Sequence, residues 1–107
     1  MTRRLRFVAS AFENLDDIAH YDDIAHYIAE QSSSIDVAIA LVDRITDHCE
    51  RLAALPGLLG TKRSDLLADI RTTPSNGYVI YFRYTADAIE VINVLHASRD
   101  AEAHFQG

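Results

Sequence analysis

Two β-rich runs, residues 77–84 and 88–96, are separated only by Thr85-Ala86-Asp87. They constrain this chain more than any other feature. Runs dense in Tyr, Val, Ile and Phe on either side of a short polar turn predict a β-hairpin. The second run is apolar through Leu95 and then turns polar at His96, Arg99 and Asp100. That change delivers an imidazole and a guanidinium to the rim of a sheet, where side chains meet partners.

The rest of the chain reads as cover for such a sheet. In residues 3–9, Leu5 and Phe7 fall on one face and Arg4 and Arg6 on the other, the alternation of a first strand. Ser10 and Glu13 stand at capping-box spacing, so a helix is expected to start there and run to about Glu30, before Gln31 and three serines. A second helix is expected from Ser33 or Ser34 to Leu55, stopped by Pro56-Gly57. Its apolar positions Ala38, Leu41, Val42, Ile45, Cys49, Leu52 and Leu55 recur at helical spacing. A strand is expected within residues 66–73, near Ile70 and Arg71, and Asn76-Gly77 then turns the chain as a hairpin dipeptide. The expected fold is α+β in the order β-α-α-β-β-β, a helical hairpin packed on one face of a largely antiparallel sheet. At 107 residues the chain, 1–107, makes one domain.

Charge narrows the function. The net charge of −6 is unevenly spread: residues 1–10 carry three arginines, residues 11–50 ten acids against Arg44 alone, and residues 51–107 six bases and six acids. A surface so acidic through the helices repels phosphates, so direct, specific nucleic-acid binding is not expected. No apolar run is long enough to span a bilayer, so no membrane partner is expected and the compartment expected is the cytoplasm. The single cysteine, Cys49, leaves no intrachain disulfide and no cysteine-based zinc cluster. On the apolar helix face it reads as a small buried hydrophobe.

One motif stands apart. Asp16-Asp17-Ile18-Ala19-His20-Tyr21 is repeated at once as Asp22-Asp23-Ile24-Ala25-His26-Tyr27. On a helix six residues turn about 600°, so equivalent positions differ by about 120° and Ile18 and Ile24 cannot share a core face. The expectation is an uninterrupted helix lengthened by roughly 9 Å, protruding or pressing Ile24 and Tyr27 on a second subunit. The Asp–His spacings allow local pairing on a wet surface, and no metal site is expected.

Chemistry by a nucleophile has no support, since the chain holds no Gly-x-Ser-x-Gly elbow and no phosphate-binding glycine loop. What remains is a set of bases around the sheet: Lys62, Arg63, Arg71, Arg83, His96 and Arg99, with Tyr81 nearby. Arg83, inside an otherwise apolar strand, either pairs with Glu90 or Asp87 across the hairpin or faces a partner.

The ordered series Leu52-Ala53-Ala54-Leu55-Pro56-Gly57, Lys62-Arg63, Asp65-Leu66, Ile70-Arg71, residues 78–83 and residues 89–100 resembles the ParE branch of the RelE/ParE toxin superfamily. Residues 15–18 and 27–30 resemble its first helix, with the hexapeptide inserted between them. The resemblance implies a bacterial toxin of a type II toxin–antitoxin pair. It implies that the toxin poisons DNA gyrase by binding and is neutralised by a ParD-like antitoxin. The partner-binding candidates are then Arg71, Tyr81, Arg83, His96 and Arg99, with Lys62 and Arg63 as a basic loop. No cofactor is implied.

The sister RelE branch cleaves ribosome-bound mRNA, which requires a base, an acid and a cation on the phosphate. RelE-like toxins carry an Arg where this chain has Val79, and their C-terminal catalytic Tyr is replaced by His96-Ala97-Ser98. These departures favour a non-enzymatic toxin over an RNase. A third reading is an inactive relative that self-associates through the lengthened helix as a dimer; the assemblies expected are a homodimer or a heterotetramer with antitoxin.

Overall fold

The computed structural model describes residues 3–20 and 34–98, together with Ala101 and Phe105. The elements run β1 (Arg4–Phe7), α1 (Ala9–His20), α2 (Ser34–Ala54), β2 (Thr61–Lys62), β3 (Arg71–Ser75), β4 (Tyr78–Tyr84) and β5 (Ala88–His96). The five strands form one sheet in the order β1-β5-β4-β3-β2. Three of its pairings are antiparallel, and β1 lies parallel to β5. The sheet is therefore mixed, with its one parallel pair at the β1 edge. Of the helix expected to run unbroken through the duplicated hexapeptide to about Glu30, residues 16–20 lie in α1, and the remainder from residue 21 falls outside the described residues.

Alternation in β4 assigns its two faces. Tyr78, Ile80, Phe82 and Tyr84 pack with the helices, while Val79 and Tyr81 join a second apolar cluster on the other side. Under the helices the core joins Ala11, Leu15 and Ile18 of α1, Ile45, Cys49 and Leu52 of α2, and Ile89, Val91 and Val94 of β5. A strand flanked on both sides is buried over nearly its whole length, and β5 is, through Leu95. Burial pushes the Cys49 thiol up to about 12, with Glu50 adding to the effect. The cysteine is a core hydrophobe, as its helix position implies.

Both hairpin turns follow local chemistry. Asn76 and Gly77 both adopt positive φ, 53° and 85°, between the paired residues Ser75 and Tyr78. Two positive values in a two-residue loop make a type I′ turn, whose twist matches the strands it joins. At the other turn the Thr85 amide donates to the Ala88 carbonyl at 2.8 Å, and the Thr85 hydroxyl accepts from the Ala88 amide at 3.1 Å.

Three expectations are corrected, and one strand is added. The capping box at Ser10 does not form: α1 begins at Ala9, and the amides of Ala11 and Phe12 donate to the Val8 carbonyl. Ser10 instead donates its hydroxyl to the Ile92 carbonyl at 2.6 Å. The strand expected within 66–73 is displaced to Arg71–Ser75, because residues 64–69 form turns and Asp69 takes a positive φ of 64°. Leu55, counted with the apolar face of α2, lies just past its end and is exposed. The two-residue strand β2 has no signal of its own, and pairing with β3 alone makes it a strand.

The hairpin β4–β5 carries a bulge that ties it to α1. Tyr81 pairs with Asn93 and Phe82 with Val91, which leaves Ile92 as the extra residue. A bulge frees backbone groups that must find other partners. Side chains one turn apart on α1 supply them: Ser10 takes the Ile92 carbonyl, and Asn14 Oδ1 accepts from the Val94 amide at 3.0 Å and from Asn93 Nδ2 at 2.8 Å.

Candidate functional site

The residues expected to meet a partner fall into three groups. The first is a cross-strand row on the sheet face away from the helices. The register places Arg6 of β1 and Arg83 of β4 on either side of Glu90 in β5. Arg83 Nε donates to Glu90 Oε1 at 2.8 Å, and Arg6 Nη1 lies 3.0 Å from Glu90 Oε2. Glu90 is buried, while the Arg6 and Arg83 side chains are 61% and 43% exposed. Of the two pairings open to Arg83, the one with Glu90 forms. Asp87 instead faces Arg4, at 3.9 Å.

A second group lies around Arg63 and Tyr81. Arg63 grips Asp65 with two parallel bonds, Nε to Oδ1 at 3.0 Å and Nη2 to Oδ2 at 2.9 Å. These bonds hold the Asp65 carboxyl below the usual carboxylate range. Tyr81 is buried together with Ile70 and Leu95, and its ring lies 5.1 Å from that of Phe105. Burial raises the Tyr81 hydroxyl pKa, and the charge of Arg63 partly opposes this. Tyr81, predicted to meet a partner, is therefore part of a buried cluster and not of the exposed surface. Lys62 is exposed on β2. Arg71, half-buried, donates through Nη1 to the carbonyls of Leu59 and Gly60, both at 3.3 Å, and so braces the loop that leads into Lys62 of β2 and Arg63, which the sequence reading places together in a loop.

His96 stands at the far end of the hairpin, exposed and opposite Tyr78. Its ring meets Tyr78 edge-on at 5.2 Å, and Nδ1 accepts from the Ser98 amide at 3.1 Å. Arg83 is five residues along β4 from Tyr78, roughly 17 Å at strand rise. His96 and Arg83 therefore do not share one site. Arg99 lies outside the described residues.

Sequence reading missed Arg6 as a member of this surface. The alternation in β1 did set Arg4 and Arg6 apart from Leu5 and Phe7. The missing information was the parallel pairing of β1 with β5, which brings the two ends of the chain into register. Arg3 was missed as well. Its guanidinium lies 4.5 Å from the Tyr84 ring centroid and donates to the Leu55 carbonyl at 3.2 Å, while Tyr84 accepts at its hydroxyl from the Leu59 amide.

Comparison with known proteins adds family to geometry. A Caulobacter vibrioides protein, Toxin ParE1, is 32% identical over 87 residues, covering 81% of this chain and 88% of that one. The fold matches a solved structure described as the chromosomal ParDE TA system from P. aeruginosa, with a TM-score of 0.68 at 18% identity, over 89% of this chain and 96% of the other. Residues 5–101, from β1 past the end of β5, match the model of the ParE toxin of type II toxin–antitoxin systems, and the chain belongs to that toxin family.

Proposed function

We propose that this toxin acts by binding rather than by cutting: it engages DNA gyrase, and a ParD-like antitoxin neutralises it. The match over residues 5–101 to a toxin family defined by its pairing with an antitoxin carries the reading. The site geometry supports it. RNA cleavage needs a base, an acid and a cation converging on one phosphate. Here the exposed imidazole of His96 and the row at Arg83 lie at opposite ends of a strand, and the Arg83 Nε is committed to Glu90. A binding poison needs no such convergence. It needs a surface that favours one conformation of its target.

Among the described residues no helix is long and apolar enough to cross a membrane. The expected place of action is the cytoplasm, where gyrase works. The test pairs a supercoiling assay on purified gyrase with growth after induction, in the presence and absence of the adjacent reading frame. Inhibited supercoiling, with growth arrest relieved by the neighbouring gene, is the expected result. Uninhibited gyrase at saturating toxin overturns the gyrase reading, and cleavage of translated mRNA in a reconstituted system replaces it with the RNase.

A further inference from the structure

We propose that the Arg6–Glu90–Arg83 row is a docking site for acidic side chains of the antitoxin, a proposal that rests on the reading above. The row holds two guanidiniums against one carboxylate, so it carries an excess positive charge within an acidic protein. Each arginine makes one ion pair, with Glu90, and among the described residues neither makes a second. A guanidinium has several further N–H donors in a planar fork that matches a carboxylate.

Glu90 acts as the holder. It is buried between β1 and β4, and by holding Arg83 through a hydrogen bond and Arg6 through an ion pair it limits the rotamer freedom that a long side chain otherwise loses on binding. An incoming carboxylate extends the row into alternating charges without desolvating an unpaired group. Arg6 lies on β1, the outermost strand of the described sheet, so an approaching chain meets the row from the side. Charge selects a peptide over a nucleic acid. The net charge of −6 opposes a polyanion, and Asp87 and Glu90 stand within the patch, whereas single carboxylates of a peptide can be placed between them.

The test titrates the full-length toxin with the protein encoded by the adjacent reading frame. Wild type is compared with Arg6→Gln, Arg83→Gln, the double variant and Arg44→Gln, which removes the same charge from an exposed position on α2. Each row substitution is expected to weaken binding about tenfold, the double variant more, with a shallower salt dependence, while Arg44→Gln changes little. Melting of each free toxin separates lost contacts from lost folding. Where the Gln variants melt early, Arg6→Lys and Arg83→Lys keep the charge facing Glu90 and lose the fork, so a several-fold loss of affinity in a folded protein still supports the site.

Equal affinities for the double variant and Arg44→Gln overturn the proposal while leaving the toxin–antitoxin reading intact. No binding by wild type overturns both. Binding of a short DNA duplex that depends on Arg6 and Arg83 reassigns the surface to nucleic acid and also overturns it.

Discussion

Gly60 is where backbone freedom and core packing meet, and its replacement by alanine tests the fold most directly. The residue has a φ of +79°, and an added Cβ would lie 2.8 Å from Phe82 Cζ and 2.8 Å from the Thr72 carbonyl oxygen. Phe82 is fully buried and Thr72 sits in β3, so neither can yield without moving core or sheet. A left-handed conformation costs an L-residue about 1–2 kcal/mol, and forced overpacking adds about 1–3 kcal/mol. Gly60→Ala is therefore expected to lose about 2–5 kcal/mol, against a small gain from the stiffer unfolded chain. Gly57 supplies the control: its φ is +81°, yet an added Cβ would meet nothing within 4 Å. Gly57→Ala should lose only the conformational part, about 1–2 kcal/mol. Urea unfolding followed by circular dichroism measures both, and the difference isolates the contact with Phe82 and Thr72. Equal midpoints and equal slopes for the two variants would refute the argument. Since Gly60 leads directly into Thr61-Lys62, Gly60→Ala should also displace the basic loop.

Three further outcomes are expected. Asn14→Ala leaves the buried Val94 amide without its acceptor and should cost about 1–3 kcal/mol, while Asn14→Asp, which keeps an oxygen there, should cost less; matching losses in urea titrations would contradict the role given to Asn14 at the bulge. Phe105→Ala should uncover the cluster of Ile70, Tyr81 and Leu95, raise binding of a hydrophobic dye and cost about 1–2 kcal/mol, less than full burial of a Phe would imply because the ring is half-buried; unchanged dye fluorescence would show that the ring does not cover this face. Stability should fall above pH 9.0, the ordinary thiol value, and keep falling toward about 12, where the folded Cys49 ionises, because in that interval the folded state holds a proton that the unfolded state has lost. The contribution is about 1.4 kcal/mol per pH unit; Cys49→Ala should flatten the alkaline limb of stability against pH, and parallel curves for the two proteins would remove the argument.

Much of the architecture was legible because it depends on near neighbours in the chain. The period of α2, the stop at Pro56-Gly57, the Asn76-Gly77 turn and the alternation of β1 each require only a few adjacent residues to agree. Position 10 was misread for the same reason. Ser10 and Glu13 satisfy a local capping pattern, but the Ser10 hydroxyl finds a carbonyl freed by the bulge in β5, and local pattern cannot anticipate a bulge. The short β2 exists only because β3 offers it backbone partners.

The candidate site divides along the same line. Local spacing left Arg83 open to Glu90, to Asp87 or to a partner, and the strand register chose Glu90. Local spacing could not place Arg6 there, because the β1–β5 register is set by packing between segments at opposite ends of the chain. Nor could it show that Phe105 covers Tyr81 or that a strand's length separates His96 from Arg83. Residue order thus settled both helices, the longer strands, the Asn76-Gly77 turn and the kind of charge on the sheet, since dihedral preference and apolar period act over a few residues. Which charges stand together, and which aromatic is covered, was left to the folded arrangement, where contacts between distant segments bring side chains within bonding reach.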